Sequence, residues 1–128
     1  MERTVIIDGR EVRMRASALI PRLYRFKFGR DMIADLNRLT SDYKKVMEAQ
    51  SSEDETEKRN AELSILDLTI FENIAWLFCR HADPEHIPET PDEWLDQMDG
   101  MFSIYEVLPE VLELWHASNR TTATPAKK

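Results

Sequence analysis

A chain of 128 residues is close to the modal size of one domain, long enough to bury a hydrophobic core and too short for a two-domain enzyme. Hydrophobic residues make up 42% and charged residues 32%, with three glycines and six prolines; this balance excludes collagen-like, low-complexity and disordered chains. A formal net charge of −7 argues against a general binder of nucleic acid or of acidic membranes.

With Cys79 as the single cysteine, neither an intramolecular disulfide nor a cysteine-based zinc cage can form. No apolar stretch is long enough to span a bilayer, and the first residues lack the apolar centre of a signal peptide. A cytoplasmic protein with no membrane partner is therefore expected. The charge is uneven. Residues 1–30 carry eight basic against three acidic side chains, a net +5, and residues 31–128 carry nine against twenty-one, a net −12. Such a bipolar chain can attract itself internally as it packs, or dock head to tail on another copy, so self-association is expected.

In chain order, the first element is a hairpin over residues 3–15. Val5 and Ile7 alternate with Thr4 and Ile6, then Val12 and Met14 with Arg13 and Arg15, around Asp8-Gly9, and Asp-Gly supplies the positive φ angles of a type I′ turn. A two-residue loop pairs Ile7 with Arg10, Val5 with Val12 and Arg3 with Met14, which gathers the four apolar side chains on one face. That face must lie on helices, because an isolated hairpin is marginal in water.

Ser17 is the expected N-cap of a helix over 17–28, with Pro21 in its first turn. Leu19, Ile20, Leu23, Tyr24, Phe26 and Phe28 form its predicted core-facing arc, and Arg22 and Arg25 lie opposite. Gly29 ends it. Asp31 suits the start of a helix over 31–48, in which Met32, Leu36, Leu39, Tyr43 and Val46 form a narrow seam. From Glu48 to Asn60 the chain has no apolar anchor and reads as an exposed helix end and loop.

Leu63, Leu66, Ile70, Ile74 and Leu77, flanked by Phe71 and Phe78, predict a long helix over 61–82 at the centre of the core. Asp83-Pro84 stops it. Thr90-Pro91-Asp92-Glu93 is a helix start with the pattern of a capping box, opening a short helix over 91–98 that offers Trp94, Leu95 and Met98. A last helix over 103–117 presents Ile104, Val107, Leu108, Val111, Leu112 and Trp115, with Pro109 as a source of kinking. Residues 1–120 thus form one domain, mainly α (α+β), with the hairpin on about five helices; residues 121–128 read as a flexible polar tail.

No catalytic pattern emerges. Cys79, His81, Asp83 and His86 are the densest reactive cluster, yet residues two apart on a helix point in different directions, so no metal is expected there. His116, Asp92/Glu93 and Asp96/Asp99 lack a nucleophile or oxyanion donor nearby in sequence. Gly9, Gly29 and Gly100 form no phosphate loop, so neither cofactor nor enzymatic activity is expected. The sequon Asn119-Arg120-Thr121 has no meaning in a cytoplasmic protein. The most suggestive stretch is Pro21 to Asp31, where arginines alternate with aromatics. Phosphate binding with base stacking is one reading. Helical spacing favours a solvated basic stripe instead, and makes Arg22, Arg25 and Arg30 candidate partner contacts.

Five groups of segments stand in order along the chain: Ile7-Asp8-Gly9-Arg10-Glu11-Val12 ahead of Arg15-Ala16, Pro21-Arg22-Leu23-Tyr24-Arg25 with Phe28-Gly29-Arg30-Asp31, Glu72-Asn73-Ile74-Ala75-Trp76 leading to Ala82-Asp83-Pro84, Glu93-Trp94-Leu95, and Ile104-Tyr105-Glu106-Val107-Leu108-Pro109. In these residues the sequence resembles the tail assembly chaperones of long-tailed phages and prophages of Gram-positive bacteria. The segments follow the family's order across nearly the whole chain, and Ile20 replaces the threonine that would precede the proline. The resemblance implies a non-enzymatic binder of the tape measure protein, a long, largely helical, aggregation-prone chain that sets tail length. Such a chaperone keeps its client soluble until tail tube protein polymerises around it, acts in the host cytoplasm and is absent from the mature virion. Family members also occur in a frameshift-extended form; this chain looks like the short one, ending in Lys127-Lys128. Two other classes remain as alternatives: a small nucleic-acid-binding regulator using the basic helix 17–30, and a minor structural tail subunit.

Overall fold

The computed structural model describes residues 1–51, 63–100 and 104–118. Two antiparallel strands, β1 (Glu2–Ile7) and β2 (Arg10–Arg15), precede α1 (Ile20–Phe28), α2 (Met32–Gln50), α3 (Ile65–Ala82), α4 (Pro91–Asp96) and α5 (Ile104–Ser118). Among the described residues the fold is α+β, a hairpin and five helices, as the periodicities require. Most of the expected 48–60 loop, the first residues of the 61–82 helix and the 121–128 tail lie outside the described residues.

The hairpin has the expected register, with Ile7 opposite Arg10, Val5 opposite Val12 and Arg3 opposite Met14. Asp8 and Gly9 turn it at φ 53° and 74°, the left-handed values of a type I′ loop. Val5, Ile7 and Met14 are buried and Val12 is half-buried. Their face meets the helices, β2 lying against α3 and β1 against α5. The turn is also tied down from outside: the Asp8 carboxylate accepts from the N–H of Asp99 at 3.0 Å and of Gly100 at 3.3 Å.

Helix α3 is the hub, packed against β2, α1, α2, α4 and α5. From Ile70 to Cys79, Ile70, Phe71 and the unbroken run Ile74–Cys79 are buried, because a helix surrounded on most sides loses its polar face. The seam of α2 is buried at Met32, Leu36, Leu39 and Val46, with Tyr43 packed half-buried against the core. On α5, Val107, Leu108, Val111 and Trp115 are buried and Leu112 is half-buried, joined by Leu114. The helix runs through Pro109.

Caps fix the boundaries. Asp31 accepts from the N–H groups of Ile33 and Ala34, satisfying donors that α2 cannot satisfy itself. Thr90 accepts from Glu93 N–H, with Pro91 at the first helical position. Gly29 stops α1 in the left-handed conformation, its N–H on the Arg25 carbonyl. At α3, Ser64 and Asp67 form a reciprocal capping box. The Asp67 carboxylate, 1% exposed, also lies 3.3 Å from the Arg38 guanidinium.

Three local expectations need correction. Helix α1 begins at Ile20, capped by Leu19 without a side-chain hydrogen bond, because Ser17 is drawn into a turn and toward α3 instead, its hydroxyl 2.9 Å from His81 Nε2. Phe26 and Leu19 are not core: Phe26 is 70% exposed, since a nine-residue helix flanked by α2 and α3 has partners for a narrower arc than six side chains need. Leu66 is also exposed, because the first turn of α3 presents Asp67 to Arg38 of α2 and leaves Ile65, Leu66 and Leu68 on its outer side.

Candidate docking groove

The exposed aromatic of α1, Phe26, stands at the edge of a groove, and of the basic stripe only Arg22 lies against it. Helix α1 crosses the C-terminal half of α3, and the chain after Asp83 returns beside them. Tyr24 is fully buried, with Phe28 packed on it at a centroid separation of 4.9 Å. Phe28 in turn meets Trp76 of α3 nearly edge-on, at 6.0 Å and 82°, a favoured aromatic geometry. Trp76 is oriented from its other end, where the indole N–H donates to the Pro88 carbonyl at 2.9 Å. The ladder Tyr24-Phe28-Trp76 anchors α1 to α3.

Outside this ladder lies an open groove of about 500 Å³. Its apolar surface comes from Leu23 and Phe26 of α1, Trp76 and Leu77 of α3, and Pro84. Lys27, Arg80, His81 and Glu89 supply the polar lining. The Lys27 ammonium lies 5.7 Å from the Trp76 ring centroid, within cation–π range. Arg80 reaches across the end of α3 to the carbonyls of Pro84 and Ile87, which holds the returning chain in place. Burial, aided by nearby Arg15, pulls His81 below its ordinary value, so the ring is neutral at pH 7. The lining therefore carries two cations and one carboxylate.

The three arginines of the stripe divide. Arg22 and Arg25 are exposed on α1, and the Arg22 guanidinium sits 5.0 Å from the exposed Phe26 ring. Arg30 turns inward on Asp35, donating through Nε at 2.8 Å and Nη2 at 2.9 Å. It is part of the α1–α2 junction, and none of the three arginines lines the groove. Sequence reasoning missed the place of Trp76 and Arg80 at the groove, because periodicity does not say which elements end beside them; Trp76 and Leu77 lie beneath its floor, each 4% exposed. The exposure of Phe26 had one local signal, an arginine at i−4.

The cluster of Cys79, His81, Asp83 and His86 is dispersed. Cys79 is fully buried and its thiol is pushed up to about 12 by burial. His81 bonds Ser17, while His86 Nδ1 contacts the Asp83 carboxylate at 2.9 Å. Among the described residues no group of His, Cys, Asp and Glu could hold a metal ion, and no helix is long and apolar enough to cross a membrane. Asp92, Glu93, Asp96, Asp99 and His116 are exposed on α4, its C-terminal loop and α5. No family model, curated protein or solved structure matches the chain.

Proposed function

We propose that the protein is a tail assembly chaperone of a long-tailed phage or prophage, a non-enzymatic binder that keeps the tape measure protein soluble until tail tube protein assembles around it. It works in the host cytoplasm and leaves before the virion is complete. Besides the family resemblance, the observation that carries this reading is the open groove along α1, where an apolar surface with an exposed phenylalanine is framed by cations. A contiguous apolar surface on a highly charged small domain marks a binding site, and an aggregation-prone client is protected by covering its apolar stripes. Net charge of −7 then keeps the complex dispersed.

Co-expression with the tape measure protein of the same phage or prophage tests the reading. The expected result is a higher soluble yield of that protein and a recoverable complex; failure of two folded partners to form one overturns it. Mass spectrometry of purified virions separates chaperone from minor structural subunit, since a chaperone is absent from them.

A second reading draws on the same corner. Phe26, exposed beside Arg22 with Arg25 and Lys27 close by on α1, has the composition of a stacking site on single-stranded nucleic acid. Its weakness is the acidic remainder of the chain. Salt-dependent binding of a single-stranded oligonucleotide at physiological ionic strength supports it, and no binding there removes it.

A further inference from the structure

We infer that the groove between α1 and the end of α3 holds one amphipathic helix of the partner, with an apolar seam laid on Phe26, Leu23 and Pro84 and carboxylates directed to Lys27 and Arg80. The inference rests on the chaperone reading for the identity of the chain that brings the helix, the long tail protein. Its chemistry comes from the groove.

The secondary structure of the occupant follows from backbone accounting. Both long walls of the groove are α-helices, whose peptide groups are consumed by their own hydrogen bonds away from the ends. An extended segment entering here would find no ladder of donors and acceptors and would leave buried peptide groups unsatisfied. A helix satisfies its backbone internally and needs only side-chain contacts, which is what the groove offers. The apolar seam follows from Phe26. It is 70% exposed, on a helix otherwise anchored by buried Ile20 and Tyr24, and stands beside an indole that is fixed from both sides. One raised aromatic wall, with Leu23 and Pro84 beside it over a floor fixed by the buried Trp76, suits apolar side chains spaced by three or four residues.

The charge of the occupant follows from the rim. Lys27 and Arg80 line the groove against Glu89, and Arg22, 5.0 Å from the Phe26 ring, adds a cation at its edge. The chain concentrates its positive charge in the first thirty residues while the rest is acidic. A partner with glutamates or aspartates flanking its seam is attracted and oriented here, and a lysine-flanked one is repelled.

The test uses the full chain and two synthetic helical peptides of about 18 residues, roughly five turns. Both carry leucines at i, i+3, i+4 and i+7; one has glutamate flanks and its twin lysine flanks. Backbone amide resonances and the Trp76 indole signal report the site. The glutamate peptide should bind saturably, with shifts confined to 23–27, 76–81 and 84–89, roughly tenfold more tightly than its twin. Phe26→Ala should weaken it by about tenfold, and Lys27→Glu should reverse the preference between the twins. Lys44→Glu, an equal charge change on α2 outside the groove, should leave it intact.

Absence of saturable shifts overturns the inference. So do equal binding of the twins, shifts that map elsewhere, the same shifts on concentrating the protein alone, or displacement of the peptide by a single-stranded oligonucleotide. Solubilisation of the long tail protein is scored in parallel. If Phe26→Ala with Lys27→Glu still solubilises it like the wild type, the groove is not the docking site and the chaperone reading stands. If the wild type fails to solubilise it while the glutamate peptide binds the groove, the helix site stands and the chaperone reading falls.

Discussion

Arg30 holds Asp35 with both arms of a fork, Nε on one carboxylate oxygen at 2.8 Å and Nη2 on the other at 2.9 Å. The pair closes the corner where Gly29 turns the chain from α1 into α2. Asp35 is 5% exposed and also accepts from the hydroxyl of fully buried Tyr24 at 2.7 Å. A carboxylate so placed needs its partners, because an unpaired buried charge is strongly destabilising. The Arg30 hydrogen bond, with that of Tyr24, holds Asp35 below its ordinary value of 3.8, while burial and the same carboxylate push the Tyr24 phenol well above its usual range. Tyr24→Phe should cost roughly 1.5–3 kcal/mol, the range for a hydrogen bond to a charged group, in urea denaturation at pH 7. As a carboxylate depressed in the fold, Asp35 contributes stability that is present above pH 3.8 and lost as pH falls through its lower folded value. Asp35→Asn should flatten stability against pH in that acid window, and an unchanged acid limb would refute this role.

Phe26 and Phe28 are two residues apart on one short helix and should behave oppositely. Phe28 is half-buried between Tyr24 and Trp76, so Phe28→Ala should cost about 2 kcal/mol, somewhat less than the ~3–5 kcal/mol of a fully buried phenylalanine. Phe26→Ala should change stability by less than about 0.5 kcal/mol, as at other exposed sites. Thermal melts of the two variants decide it. A large loss with Phe26→Ala would mean that its ring packs in the fold and is not available to a partner.

The two histidines near the end of α3 titrate with opposite signs. His81 is depressed in the fold, first by burial and then by Arg15. Its contribution is therefore complete above pH 6.5 and is lost as pH falls through 6.5 toward the lower folded value. His86 is raised by its hydrogen bond to Asp83, and its contribution is complete below pH 6.5 and lost as pH rises through the higher folded value. In a His86→Asn background, stability should fall on acidification from pH 7 to 5.5, and adding His81→Gln should remove most of that fall. Denaturation midpoints along the pH series measure it; a slope unaffected by His81→Gln would exclude the assignment.

The α3 cap and the α3 thiol give two further measurements. Ser64→Ala removes one half of the capping box and should cost about 1 kcal/mol. Asp67→Ala should cost more, because it removes the other half and leaves Arg38 without its buried carboxylate. Equal losses would show that the cap alone matters. Cys79, buried and pushed up to about 12, should react with a thiol reagent such as Ellman's only at the rate of unfolding, since the thiolate is the nucleophile. Rapid labelling of the native protein would show that α3 opens locally.

Sequence alone determined the features whose cause is local. The Asp8-Gly9 turn set the hairpin register, and with it the burial of Val5, Ile7 and Met14, because a two-residue loop permits one pairing. Asp31, Thr90, Gly29 and Asp83-Pro84 marked helix limits, since each acts on backbone groups within a few residues. The Met32-Leu36-Leu39-Val46 seam was legible from its period. Tertiary structure decided what depends on neighbours distant in the chain. Ser17 left its expected cap for His81, sixty-four residues away. Phe26 belonged by pattern to the core arc of α1, yet α2 and α3 cover only the side that holds Ile20 and Tyr24, and the ring stays outside with Arg22. The groove has the same origin: Trp76 forms its floor because α1 and the Pro88 carbonyl hold the indole in place. Helical periodicity states which side chains share a face, but only the packing of other elements states how much of that face is covered.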